Sequence, residues 1–271
     1  IQLVARNCGF AESTVGGNLY WFGLPMLDKD FKLLAKRKDK AYFNRYPQIE
    51  QLCHKKITCD INNRMRRSFP KVFNILPISF MIPEEAVALE SYMTAHPNFH
   101  FIGKPNRGKG GEGIMLIEKF KDIPNNYIAN TQKDMLVQRY VKTPLLLDKK
   151  KFDIRLYVLI VGYDPIKAYL ADEGLVRLCT ENYKMPTKEN MKNMFMHLTN
   201  FCLNKNSENY KLPDADFLEK GEGDASKRLL STLWKVWEEE GNDTDLIYDK
   251  IKDTCRKAII TMEPYLLHSW H

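Results

Sequence analysis

The chain has 271 residues, 44% hydrophobic and 28% charged, with a formal net charge of +7. These proportions describe an ordinary soluble globular protein with a core large enough for one to three subdomains. No uncharged run approaches the ~20 residues a membrane span needs. No signal peptide opens the chain, and the absence of an initiator methionine leads us to expect a piece of a longer protein. The six cysteines, Cys8, Cys53, Cys59, Cys179, Cys202 and Cys255, have neither the close pairing of a zinc site nor the density of a disulfide scaffold, so free thiols are expected.

The charge is uneven. Residues 1–160 hold 26 Lys and Arg against 15 Asp and Glu, a balance of +11, whereas residues 161–271 hold 15 against 19, or −4. The basic excess includes Lys36-Arg37-Lys38-Asp39-Lys40, Lys55-Lys56, Arg64, Arg66, Arg67 and Lys71. A surface of this sign steers an acidic partner toward itself at long range. Nucleic acid, an anionic membrane and an acidic protein all satisfy that description.

In chain order, a helix is expected over Ile1–Gly9, then a turn at Gly16-Gly17-Asn18 and a strand over Leu19–Phe22. A basic amphipathic helix follows at Ile61–Phe69, ended by Pro70 and Pro77. From there the pattern reads strand (Ile78–Ile82), helix (Glu84–Ala95), strand (Phe99–Gly103), a glycine-rich loop, strand (Ile114–Ile117) and strand (Met135–Tyr140). A second sheet is expected from Phe152–Gly162, Ile166–Ala171 and Leu175–Cys179, with turns at Asp164-Pro165 and Glu173-Gly174. Polar stretches at Asn182–Asn193 and Lys205–Ala225 read as loops, the latter flexible. Helices Lys227–Glu240 and Asp243–Met262, separated by Gly241, close the chain. The fold class is α+β, with no internal repeat.

Two stretches fit together as halves of a nucleotide site. Lys104-Pro105 with Gly108, Gly110, Gly111 and Gly113 lies between two strands. Glycines let backbone amides approach phosphate closely, and Lys104, Arg107 and Lys109 add charge. It is neither a Walker loop nor a dinucleotide fingerprint, because a strand follows it rather than a helix. A flexible turn would also explain the glycines. In the second stretch, Lys151-Phe152-Asp153-Ile154-Arg155, alternation puts the three charges on one face and Phe152, Ile154, Leu156, Val158 and Ile160 on the other. Beyond Arg155 the charged face becomes Tyr157, Leu159 and Val161. The charges are therefore expected at the mouth of a strand buried on both sides, where they need a polyanion or each other. A mutual Asp153–Arg155 ion pair is the plain alternative.

The glycine loop, Val137-Gln138-Arg139-Tyr140-Val141, Lys151–Arg155, Gly174-Leu175-Val176-Arg177 and His197-Leu198-Thr199-Asn200 together resemble the tubulin tyrosine ligase-like family, in order and spacing and over nearly the whole chain. The resemblance implies an ATP-grasp fold: a small basic N-terminal domain (1–76), a central subdomain with the glycine-rich lid (77–141) and a C-terminal subdomain (142–271), the last two clamping ATP. It implies an ATP-dependent ligase that adds an amino acid to tubulin, most simply glutamate on its acidic C-terminal tail. ATP and Mg²⁺ are the implied cofactors. The partners would be tubulin or microtubules and free glutamate or glycine, with no nucleic acid and no membrane. The setting would be the cytoplasm and cytoskeleton, at a cilium or flagellum axoneme or basal body.

Carried over by position, Lys104, Gly110 and Gly111 would meet the ATP phosphates. Gln138, Arg139, Tyr140 and Val141 would form the adenine hinge, although Gln138 and Tyr140 also suit plain strand positions. Lys151, Asp153, Thr199 and Asn200 would be nucleotide contacts, with Asp153 suited to a ribose hydroxyl or the metal shell. Arg155 and Arg177 are the catalytic candidates, placed for phosphate and carboxylate. Arg177, Phe201, Cys202 and Lys227 would face the amino acid. His197 is read as a structural histidine bonding a backbone group.

Phe201 and Cys202 depart from the tyrosine and serine of glutamate-adding members, which leaves the added amino acid open. The family's magnesium carboxylates would lie on strands after His271, so no metal ligand is assigned. A ligase-like structural protein of the axoneme, binding microtubules without chemistry, is the alternative. An ATP-grasp ligase of a small metabolite would leave the basic surface unexplained.

Overall fold

The computed structural model describes the chain except residues 14–15, 24–26, 47–48, 107, 109, 130–132, 163, 214–224 and 269–271. Two units are present: Ile1–Cys53 with the residues from Pro264 on, and His54–Glu263. In the first, α1 (Gln2–Asn7), β1 (Leu19–Tyr20), α2 (Asp28–Ala35), β2 (Tyr42–Phe43) and α3 (Ile49–Leu52) follow one another, and β1 pairs with β2 in parallel. The strand expected to reach Phe22 stops at Tyr20, because the Phe22 backbone is taken by a side chain. Its N–H donates to Asn44 Oδ1 at 2.8 Å and its carbonyl accepts from Asn44 Nδ2 at 3.1 Å.

The second unit opens with α4 (Lys55–Ser68), six residues earlier than the expected start at Ile61. Ile57 carries the Ile61–Met65 spacing back by one turn, so the periodicity reaches further than the expected start. Tertiary contact holds the helix, since Cys59 packs with Met81 and Leu136. Then follow β3 (Ser79–Ile82), α5 (Ala86–Ala95), β4 (Phe101–Pro105), β5 (Met115–Ile117), α6 (Asn125–Ile128) and β6 (Met135–Arg139). The four strands form an antiparallel sheet in the order β3-β6-β4-β5. Ile82, Leu89, Met93, Phe101, Ile117, Met135 and Val137 form its core under α5. Burying side chains of this size contributes about 1.5–3 kcal/mol each.

A second antiparallel sheet, ordered β12-β11-β8-β7, is built from β7 (Leu146–Leu147), β8 (Lys150–Arg155), β11 (Leu175–Asn182) and β12 (Lys227–Leu229). The apolar face predicted by alternation is present: Phe152, Ile154 and Leu156 pack onto Leu147, Val176, Leu178, Leu230, Leu233 and Trp237. The single strand expected over Phe152–Gly162 is not. It breaks after Arg155, and β9 (Val158–Val161) pairs instead with β10 (Lys167–Leu170) in a separate hairpin. Tyr157, Leu159 and Val161 are 53%, 63% and 46% exposed, so the strand is not buried on both sides. The ladder ends where the partner strand runs out. Leu175 faces Arg155 in register, and a Cβ placed on Gly174 would lie 2.7 Å from the Arg155 carbonyl oxygen.

The helix expected from Lys227 begins as strand. Lys227, Arg228 and Leu229 pair with Arg177, Val176 and Leu175, a tertiary pairing that overrides local helix propensity. Helix α9 (Leu230–Glu239) starts only after it, with Glu173 accepting from the Leu230 and Ser231 amides at 2.8 and 3.2 Å. Short helices α7 (Met194–His197) and α8 (Phe201–Asn204) precede β12, and α10 (Thr244–His268) ends the described chain. The class is α+β with antiparallel sheets, as expected. No described helix is long and apolar enough to cross a membrane. All six cysteines are free.

Candidate nucleotide and acyl-transfer site

The site forms where the glycine loop of the first sheet meets the charged face of the second. On the first sheet, Lys104 at the end of β4 donates to Gln138 Oε1 on β6 at 2.8 Å. Gln138 Nε2 donates in turn to Ser79 Oγ on β3 at 2.9 Å, which donates to the Pro77 carbonyl at 2.8 Å. The amide is thereby fixed with its oxygen toward the lysine. Burial, and then the charge of Lys55, lower the Lys104 pKa. No carboxylate pairs with Lys104 among the described residues.

The loop after β4 has left-handed backbone at Gly110, Gly111 and Gly113, with φ of +63°, +102° and +66°. A side chain there is strained, which gives the glycines a structural reason beyond flexibility. Its tip rests on the turn that starts α8. A Cβ on Gly110 would stand 3.1 Å from Cys202 Cβ, and one on Gly111 would stand 3.5 Å from Asn200 Cβ. Arg107 and Lys109 lie outside the described residues. The root of the loop is held by a residue that sequence reasoning counted only as surface charge. Lys55 Nζ, at the start of α4, donates to the Pro105, Asn106 and Gly108 carbonyls at 3.0, 3.1 and 3.1 Å. No local motif marks such a contact, since its partners lie some 50 residues away.

On the second sheet, Asp153 receives both arms of Arg177, Nε to Oδ1 at 2.8 Å and Nη2 to Oδ2 at 2.9 Å, and also the Thr199 hydroxyl. Asp153 therefore pairs across the sheet with Arg177, its register partner, and not with Arg155. Arg155 sits exposed at the end of β8 on the same face and makes no ion pair among the described residues. Lys227 faces Arg177 in register on β12, with its ammonium 5.5 Å from the Phe201 ring. Lys205 approaches the same ring at 5.9 Å. Arg139, one residue past Gln138 and so on the other face of β6, stacks on Phe99 at 3.8 Å, away from the lysines. Val141 is exposed beyond the strand end.

Lys151 Nζ donates to Tyr140 Oη at 3.1 Å and to the His197 carbonyl at 2.9 Å. Burial lowers its pKa to about 8. His197 is fully buried; its ring meets the side chains of Tyr140 and Asn190 and also bonds the Asn190 backbone. Burial, then the charge of Lys151, push it down to about 4, so the ring is neutral and is no general base at the surface of the site.

Lys104 and Lys151 lie within electrostatic reach of one another, and Arg155, Arg177 and Lys227 take positions on the second sheet, where Arg177 is held by Asp153. Cationic donors gathered in this way make a candidate polyanion site. Its donor set fits a nucleoside triphosphate. It does not by itself fit Mg²⁺, which takes oxygen ligands: Asp153 is already held by Arg177 and Thr199, and no described group of three or more His, Cys, Asp or Glu could hold a metal.

Two small antiparallel sheets with a candidate polyanion site on them make this an α+β protein. Residues 33–269 match the tubulin-tyrosine ligase family, and the chain belongs to that family. It is similar to tubulin polyglutamylase ttll6 of Danio rerio, 34% identical over 273 residues covering 100% of this chain and 33% of the relative. It is also similar to tubulin polyglutamylase TTLL6 of Homo sapiens, 30% identical over 275 residues covering 100% of this chain and 29% of the relative. Tubulin monoglutamylase TTLL4 of Homo sapiens is 34% identical over 230 residues, covering 84% of this chain and 18% of the relative. The chain spans about a third of the length of the polyglutamylases it matches.

Proposed function

We propose that this chain carries the nucleotide and amino-acid sites of an ATP-dependent ligase that adds an amino acid, glutamate foremost, to the acidic C-terminal tail of tubulin. The observation that carries the reading is that the left-handed glycine loop rests its tip on Asn200 and Cys202, beside the neighbouring charges of Lys104 and Lys151. In this reading the fold is an ATP-grasp, with residues 77–141 and 142–271 as the two subdomains that clamp ATP. ATP bound there supplies the phosphoryl group that activates a carboxylate. A carboxylate oxygen would attack the γ-phosphorus as the bond to ADP breaks, and ADP would leave. The incoming neutral amine would then attack the acyl carbon, phosphate would leave with the bonding pair, and the proton lost by the nitrogen would go to that phosphate, giving an amide.

Both steps build negative charge on oxygen, so the chain's contribution is orientation and cationic stabilisation. Lys104 and the loop amides hold phosphate oxygens. Arg155, exposed and unpaired among the described residues, meets the developing charge. Arg177, fixed by Asp153, and Lys227 take the carboxylates of the amino acid beside Phe201 and Cys202. Magnesium is the cation this chemistry uses, and the described residues assign it no ligand set. The exposed Arg64 and Arg67 of α4 receive the acidic tail, and the setting is the microtubule cytoskeleton of a cilium.

The test incubates the full-length protein with microtubules, ATP and labelled glutamate or glycine. Label is expected in the tubulin tail, lost when the tails are removed by protease and lost in Lys104→Met. Salt-sensitive microtubule binding with no incorporation of either amino acid would replace this reading with that of a structural axonemal protein.

A further inference from the structure

The buried imidazole of His197 is the polar group that the reading above leaves without a task. Its hydrogen-bond partners fix both its tautomer and a direction. Asn190 Oδ1 accepts the Thr187 amide at 2.8 Å, and Asn190 Nδ2 donates to the Met185 carbonyl at 2.9 Å, so the Asn190 amide cannot be turned over. The atom it presents to His197 Nε2, at 3.3 Å, is therefore an oxygen. Nε2 must carry the hydrogen, and Nδ1 is left with a lone pair. The polar neighbour of Nδ1 is Tyr140 Oη at 3.2 Å, placed to donate to that lone pair, and Tyr140 also bonds the Tyr183 hydroxyl, which itself donates to the Lys142 carbonyl at 2.6 Å. Lys151 Nζ has only hydrogens to give, so Tyr140 Oη accepts from it at 3.1 Å. The carbonyl of the same histidine takes a second hydrogen of that ammonium at 2.9 Å.

The tyrosine and histidine rings stand edge to face at 5.9 Å, and Tyr183 flanks the histidine in the same way at 5.8 Å, so the rings have little room to rotate. His197 lies on α7, Tyr140 follows β6 of the first sheet, and Lys151 lies on β8 of the second. The chain of bonds thus ties the end of β6 in the first sheet to Lys151 on β8 of the second.

We propose that His197 is a positioning residue. Acting through the Tyr140 hydroxyl and its own carbonyl, it spends two of the three hydrogens of Lys151 on fixed acceptors and aims the third at the phosphates of the nucleotide. The inference rests on the ATP-binding reading and deepens it. A lysine ammonium is a point charge on a flexible four-carbon stem, so without such acceptors it would sample many orientations, and binding would include the cost of ordering it.

The test compares the full-length wild type with Tyr140→Phe, His197→Ala and His197→Asn. It measures the dissociation constant for ATP by calorimetry, KM and kcat with tubulin, and the melting temperature. Tyr140→Phe removes one oxygen and keeps the ring. It is expected to weaken ATP binding by roughly tenfold, the scale of one lost hydrogen bond to a charged group, with KM for the amino acid within about twofold of wild type on the same scale. His197→Ala is expected to match it. His197→Asn, whose amide oxygen can stand near the place of Nδ1, is expected to recover most of the loss. Wild-type ATP affinity in Tyr140→Phe overturns the proposal, as does equal impairment of the Ala and Asn variants, which would reduce His197 to a filler of space. Wild-type protein that binds no ATP overturns the functional reading itself, an outcome distinct from a wild type that binds and a Tyr140→Phe that binds equally well.

Discussion

Acidification is the perturbation to which His197 should respond most. The ring is fully buried, and its pKa is pushed down to about 4 by burial and by the charge of Lys151, whereas in an unfolded chain histidine titrates near ~6.5. Between those values the unfolded state binds a proton that the folded state refuses, so stability falls as pH drops from about 6.5 and levels off near about 4. The difference of roughly 2.5 units corresponds to about 3 kcal/mol in full, of which about 2 kcal/mol is lost by about pH 5. That is a large fraction of the 5–15 kcal/mol typical of a folded domain. The assay is urea unfolding at a series of pH values for wild type and His197→Asn, which has no titrating ring. Carboxylates distant from the site contribute equally to both and cancel in the difference. The wild type should lose about 2 kcal/mol more than the variant between roughly pH 7 and 5. Parallel loss in the two proteins would show that the ring titrates in the folded state as it does in water, and the closed network around it would be refuted.

Two further outcomes follow from the loop and the second sheet. Gly110→Ala places a Cβ 3.1 Å from Cys202 Cβ on backbone with φ of +63°, so roughly 1–2 kcal/mol of strain is expected, measured as weaker ATP binding with little change in melting temperature; unchanged affinity would mean that the loop tip does not need this conformation. Because burial lowers the Lys151 pKa to about 8, the free protein loses that charge as pH rises through this value, and ATP affinity should fall with it. Lys151→Arg, which keeps its proton, should flatten the profile in calorimetric titrations, and identical profiles for the two proteins would assign the effect to another group.

Side chains whose role follows from their own neighbours in the chain were legible in the sequence. The alternation of Phe152, Ile154 and Leu156 against Lys151, Asp153 and Arg155 is a property of six residues, and the structure packs the first three into the core around Trp237. Gly110, Gly111 and Gly113 between two strands likewise take the left-handed backbone that only their type adopts freely. What escaped depends on partners far away. Nothing in Tyr157–Val161 says that β11 stops at Leu175, so a continuous apolar run became an exposed hairpin. Nothing in Lys227-Arg228-Leu229 says that a strand waits beside it, so helix propensity was followed three residues too far.

The same division runs through the site. That Lys151 and Asp153 share a face and that Lys104 precedes a glycine loop was readable, because both follow from local spacing. Their orientation was not, because it is set by Gln138 on a neighbouring strand, by Arg177 across the second sheet and by His197 on a helix 46 residues further along the chain. A charge finds its ligand through its own chemistry and holds its direction through its neighbours. Changes at the neighbours should therefore alter the cost of binding ATP while leaving the identity of the ligand unchanged.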